Sequence, residues 1–155
     1  MLIPMIEDII QKAGWAMQDL NRIAITQGPG SFTGVRIGLA TARSLGLALD
    51  IPVFGMSTLE LIRAEHEPDM LVLVDTKRGD YYGCVGHEAP RLWSELDVEA
   101  YKGSNIKNAV PNLRILSEKA IAAKMEDGFI NNPAPNPIYL RNAEISQPKD
   151  ISKFI

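Results

Sequence analysis

Residues 28–34, Gly-Pro-Gly-Ser-Phe-Thr-Gly, place three glycines in seven residues between a short apolar run and a helix-like segment. A strand, a glycine loop and a helix N-terminus can together hold phosphate, because backbone N–H groups and the helix dipole favour an anion. Here Gly28, Gly30 and Gly34 give G-x-G-x-x-x-G, one residue longer than the dinucleotide fingerprint, and no Gly-Lys-Ser/Thr follows as in a Walker A loop. Ser31 lies in no G-x-S-x-G elbow, and no His–Asp pair accompanies it. On residues alone, Gly28, Pro29, Gly30, Ser31, Phe32, Thr33 and Gly34 read as a structural turn rather than a nucleotide site.

Other candidate groups carry bland readings as well. Asp75 ends the apolar run at 70–75 beside Lys77 and Arg78. With no second carboxylate cluster to share a metal or a water, it reads as a turn-capping carboxylate paired with a neighbouring base. Arg36 has the fork for a bidentate phosphate or carboxylate contact. A salt bridge at a helix interface is the preferred role. Cys84 has no histidine near in sequence and reads as core. Tyr81 and Tyr82 could stack on a base, but one buried and one exposed strand residue is the simpler account. His66 and His87 are expected at the surface. No Cys/His cluster has metal-ligand spacing, so no metal and no catalytic residue are expected.

The bulk properties narrow the function classes. The chain has 155 residues, 46% of them hydrophobic, and a net charge of −3, which suits one globular domain. Gripping nucleic acid unaided needs a basic surface that this balance does not supply. The single cysteine rules out an internal disulfide and fits a reducing cytosol. Asp50 and Pro52 interrupt the longest apolar run, so neither a membrane span nor a signal peptide is expected.

The elements that must position these residues follow from periodicity. Leu2, Met5, Ile6, Ile9, Ile10 and Ala13 recur at helical spacing over 1–13, with a wide apolar arc and Gly14 as a stop. Pro4 is tolerable in the first turn. Residues 23–26 read as a strand, 28–34 as a loop, and 34–49 as a helix capped by Ser31 or Thr33. A strand at 52–54 and a helix from Ser57 to about residue 64 follow, with Glu60 completing a capping-box pattern. The run at 70–75 reads as a buried strand, with a returning hairpin strand at 81–86. Beyond Pro90 the signal fades until a helix at 117–127 and an extended loop at 131–137. Alternating helices and strands predict an α/β layer structure.

The helix at 34–49 carries charge only at Arg36 and Arg43, on one narrow face. A helix apolar almost all round is buried on more than one side. Gly34, Gly38, Ala42 and Gly46 form a ridge, and each interior glycine costs about 0.8–1 kcal/mol relative to alanine. Small residues on such a ridge let another backbone approach closely. The ridge either packs on the chain's own sheet or, with the first helix, forms a partner-binding face. The second is the expectation adopted. The binding set would be Leu2, Met5, Ile6, Ile9, Val35, Arg36, Gly38, Leu39, Ala42 and Gly46.

These residues also resemble the TsaB (YeaZ) family of bacterial proteins, needed for making N6-threonylcarbamoyladenosine in tRNA. Its pattern G-x-G-S-F/Y-T-G-x-R-I-G is met by Gly28, Gly30, Ser31, Phe32, Thr33, Gly34, Arg36, Ile37 and Gly38, and its next turn by Gly55, Ser57, Leu59 and Glu60. Asp75, Lys77, Arg78, Gly79, Asp80 and Tyr82 resemble its D-A-R-R-G-E-V-Y segment. Pro137, Tyr139 and Arg141 resemble its closing P-x-Y-x-R. The likeness is thin from Pro90 to Asn136.

The resemblance implies an RNase-H-like/actin-like (ASKHA) α/β fold, with a mixed sheet and helices packed on it. It implies an actin-like remainder at 1–89 and a partial second subdomain with a loose tail at 90–155. The family begins with an Asp-Thr-Ser strand, whereas Met1 here sits about where the first helix starts, so an N-terminally shortened chain is expected. The implied role is non-catalytic. The first two helices would hold TsaD, the subunit that transfers the threonylcarbamoyl group to adenosine 37, and would make a homodimer when alone. TsaE, an ATPase, would join the pair, and tRNA would be reached only through the complex. No cofactor of its own is implied, with ATP or ADP at the level of the complex, and the location would be cytoplasmic. An autonomous nucleotide-binding ATPase using the glycine loop, or a homodimeric fragment without activity, are the alternatives.

Overall fold

A computed structural model describes residues 2–140. In chain order the elements are α1 (Leu2–Lys12), a short 3-10 turn (Met17–Asp19), β1 (Ile23–Thr26), α2 (Phe32–Leu49), β2 (Val53–Met56), α3 (Thr58–Arg63), β3 (Leu71–Asp75), β4 (Asp80–Val85), β5 (Arg91–Ser94), α4 (Glu95–Ala100), β6 (Asn105–Lys107) and α5 (Leu113–Ala122).

The strands form two sheets. β1 and β2 make a parallel pair in the register Ile23↔Val53 to Thr26↔Met56, with α2 as the crossover that a parallel pair requires. α5 packs against the same pair. The Arg22 guanidinium donates to the carbonyls of Ala120 and Ala123, which satisfies acceptors left open at the end of α5. The second sheet has the order β5-β4-β3-β6, antiparallel except for the parallel β3–β6 edge.

β3 shows why a continuous apolar run was needed. Leu71 and Leu73 point to one face, against Trp93 and Val98, while Val72 points to the other, against Leu59, Ile62 and Cys84. Both faces are covered, so no position alternates to polar. The division expected after residue 89 falls between β4 and β5, which are neighbours in this sheet.

Several local expectations change. β5, α4 and β6 lie in the stretch that gave no sequence signal. α4 is nevertheless opened by a full capping box: the Asp97 N–H donates to Ser94 Oγ (3.1 Å) and the Ser94 N–H to Asp97 Oδ2 (2.9 Å). The helix expected at 117–127 runs instead over Leu113–Ala122. Asn112 starts it, its Oδ1 accepting from the Arg114 N–H at 3.0 Å. The capping box expected at Ser57 does not form. Ser57 makes no side-chain cap bond, and its hydroxyl is buried without a partner.

Candidate functional site

The glycine loop is built by local chemistry. Gly28 has φ +83°, a conformation that costs glycine little. Its carbonyl accepts from the Thr58 N–H at 2.8 Å, tying the loop to the start of α3. Ser31 is the N-cap of α2, its Oγ accepting from the Gly34 N–H at 3.3 Å. Val35 packs back on the loop, its Cγ2 3.3 Å from where a Cβ on Gly28 would stand.

Beside the loop lie two adjoining cavities of about 510 and 600 Å³. They share Pro29, Gly30, Ser31, Val35, Val74, Asp75 and Lys77 as lining. The first extends towards Gly38 and Asn108, the second towards Phe32, Thr33, Arg78 and Tyr139. The structure thus brings the glycine loop and the Asp75–Arg78 turn to one cleft.

Asp75 works there as a turn residue. Its carboxylate accepts from the Lys77 N–H (2.6 Å) and the Lys77 ammonium (2.9 Å). The ammonium bond, and then the backbone bond, hold the Asp75 carboxyl below its ordinary value. Lys77 sits at φ +63°, which that backbone bond supports. Arg78 follows, its N–H on Thr76 Oγ at 3.2 Å. Among the described residues no three His, Cys, Asp or Glu side chains group as a metal site would need. Cys84 is buried, and burial pushes its thiol pKa up. Tyr82 lines the larger cavity, whereas Tyr81 lies under the Lys107 ammonium at 4.8 Å. Arg141 lies outside the described residues.

The two helices present different faces from those expected. α1 buries no residue at all. Met5 is 60% and Ile9 64% exposed, Leu2 is also exposed, and Ile6 is half-buried. On α2 the small-residue ridge turns inward. A Cβ on Gly46 would stand 2.4 Å from Val53 Cγ2 and 2.9 Å from Phe129 Cδ2, and one on Gly38 would stand 3.3 Å from Ile25 Cδ1. Leu39, Ala42 and Gly46 are buried. The groove expected for a partner is therefore filled from within the chain, because β1, β2 and the segment after α5 reach it first. Leu39, Ala42 and Gly46 do not line an outward face.

The narrow charged face of α2 is only partly engaged, with Arg43 half-buried and Arg36 still exposed. Arg43 donates to the Pro135 carbonyl (2.9 Å) and Asn136 Oδ1 (2.5 Å), and Arg36 to the Tyr139 hydroxyl (2.8 Å). The Ile138 N–H reaches the Gln27 carbonyl at 2.9 Å. The extended segment at 132–139 thus straps α2 to the glycine loop. What α2 leaves outward is a stripe of Thr33, Ile37, Ala40, Ser44, Leu47 and Ala48, with Ile37 53% and Leu47 66% exposed, and beside it near the start of the helix the exposed Phe32, Gly34 and Arg36. Sequence reasoning missed this stripe. Its signal was the arc opposite the ridge when residues are stepped at about 100°.

Comparison with known proteins adds the following. A family model described as TsaD: tRNA N6-adenosine threonylcarbamoyltransferase matches residues 1–101. The tRNA threonylcarbamoyladenosine biosynthesis protein TsaB of Buchnera aphidicola subsp. Schizaphis graminum is 32% identical over 99% of this chain and 75% of its own length. The protein of that name from Escherichia coli K12 is 37% identical over 64% of this chain and 46% of its own length. The structure of YeaZ from Pseudomonas aeruginosa superimposes with a TM-score of 0.68 at 22% identity, covering 90% of this chain and 83% of that one.

Proposed function

This chain belongs to the TsaB (YeaZ) family, and from that premise we propose that it is a non-catalytic subunit of the complex that forms N6-threonylcarbamoyladenosine at position 37 of tRNAs reading codons that begin with A. In this reading it binds and supports TsaD, with TsaE joining the pair. It forms a homodimer when alone and meets tRNA only through the complex. ATP or ADP belongs to the complex, and the site of action is the cytoplasm. Among the described residues no helix is long and apolar enough to cross a membrane.

The observation that supports docking is α1, an amphipathic helix with no buried residue. Leu2, Met5 and Ile9 are all exposed on it. Contiguous exposed apolar surface marks an interaction site in a folded protein. The outward stripe of α2 offers a second such surface. The test is association with purified TsaD, read by co-elution in size-exclusion chromatography. Ile37→Asp and Ile9→Asp are expected to abolish co-elution while the circular-dichroism spectrum stays unchanged. Co-elution undiminished in both variants rejects the reading.

The cleft beside the glycine loop favours a second reading, in which the chain holds a nucleotide on its own. Calorimetric titration of ATP onto the chain alone separates the two. Tight stoichiometric binding without a partner promotes the second.

A further inference from the structure

We propose that Arg36 is the anchor of the docking face and takes a carboxylate side chain of the partner protein. This inference rests on the docking role above. Arg36 is exposed but already aimed. Its guanidinium carbon lies 3.7 Å from the centroid of the Phe32 ring and 5.4 Å from that of Tyr139, and its Nε–H donates to the Tyr139 hydroxyl at 2.8 Å.

The outer end of the fork is different. Among the described residues no carboxylate pairs with Arg36, and its two Nη groups have no hydrogen-bond partner. The neighbouring Arg43 has spent its own Nη2 on the Pro135 carbonyl and Asn136. α2 itself carries no Asp or Glu to compete. Among the described residues, one edge of a planar cation is thus immobilised and the edge that suits an oxyanion bidentately has no partner. Orientation settled in advance lowers the entropy lost on binding.

The surroundings select the partner. Phe32 and Tyr139, which are 56% and 52% exposed, form an aromatic rim against the guanidinium, and the next residue of α2, Ile37, is 53% exposed. An arginine inside such a rim is the composition of a protein–protein hot spot, where excluded water strengthens a charge pair. An RNA backbone calls for a run of cations across a basic surface, and this chain has a net charge of −3. The observations therefore favour an Asp or Glu on a partner protein.

Isothermal titration of the full chain against purified TsaD at low and high salt tests the assignment. Arg36→Gln is expected to weaken association about tenfold or more and to flatten its salt dependence. Arg36→Lys keeps the charge but loses the fork, and is expected to weaken association severalfold. Tyr139→Phe releases Nε and is expected to lie between wild type and Arg36→Lys. Wild-type affinity in Arg36→Gln overturns the anchor alone. If that variant does not fold, wild-type affinity in Arg36→Lys overturns it instead. No association of the wild-type chain with TsaD overturns the docking role, and the anchor with it. A loss of tRNA binding in Arg36→Gln, with TsaD binding intact, overturns the carboxylate in favour of a phosphate.

Discussion

Ser57 and Ser94 both precede short helices, and their surroundings give them opposite roles. Ser94 Oγ accepts the Asp97 N–H at 3.1 Å, whereas Ser57 is 6% exposed with an unpartnered hydroxyl. Removing a cap that is made costs about 1 kcal/mol. Removing a buried hydroxyl that bonds nothing costs no hydrogen bond. Denaturant titration is therefore expected to show Ser94→Ala destabilised by about 1 kcal/mol, and Ser57→Ala unchanged or more stable. The helical glycines can be graded in the same way. At Gly38 an added methyl meets only the flexible tip of Ile25 at 3.3 Å. The propensity gain of about 0.8–1 kcal/mol offsets that contact, so Gly38→Ala is expected to melt near wild type. At Gly46 the methyl meets Val53 at 2.4 Å and the Ile51 carbonyl at 3.1 Å. There Gly46→Ala is expected to cost about 1–3 kcal/mol, because the stiff, branched Val53 side chain, the Phe129 ring and the Ile51 carbonyl crowd the site together.

At the scale of elements, α1 and α2 were expected to share one role, yet they are held differently. α1 buries nothing, so its apolar face contributes little to the stability of the isolated chain. Ile9→Asp is expected to shift unfolding free energy by no more than about 0.5 kcal/mol, checked by thermal melting. α2 is pinned by sheet on one side and by the 132–139 strap on the next, which leaves outward its third face and, at the edge of the strap, Arg36. The β3–β4 turn adds a pH dependence of known sign. The Asp75 carboxyl lies below its ordinary value of 3.8 because of Lys77. A depressed native pKa contributes stability that is complete above the unfolded value and is lost as pH falls through the native one. Acid titration followed by NMR should show the Lys77 amide losing protection only below the ordinary carboxylate range. Asp75→Asn should abolish that step at every pH.

For the molecule as a whole, two sheets divide the work. The β5-β4-β3-β6 sheet supplies both apolar clusters, built on Leu71, Val72 and Leu73. The β1–β2 pair with α2 supplies the glycine loop and the outward helix, and the cleft lies between that loop and the Asp75–Arg78 turn of the other sheet. The end of α2, the run of β3 and the hairpin into β4 were legible in the sequence. Each is marked by neighbours in the chain: an unbroken helical arc, consecutive branched apolar residues, and a turn of Lys, Arg and Gly. β5, α4 and β6 were not legible because they are short and gain their order by pairing with β4 and β3. Ser94 and Asp97 alone held a local sign of α4. At the site, the glycine loop, the Asp75 turn and the exposure of Met5 and Ile9 could be anticipated. The inward turn of Leu39, Ala42 and Gly46, and the capture of Arg36 by Tyr139, could not. By itself the amino-acid sequence determined the helices and strands from α1 to β4, that α2 carries a ridge of small residues, and to which family the motif belongs. Only the tertiary structure decided which side of α2 faces solvent. That side is settled by contacts with residues far along the chain, Val53, Phe129 and Tyr139, and local periodicity carries no record of them.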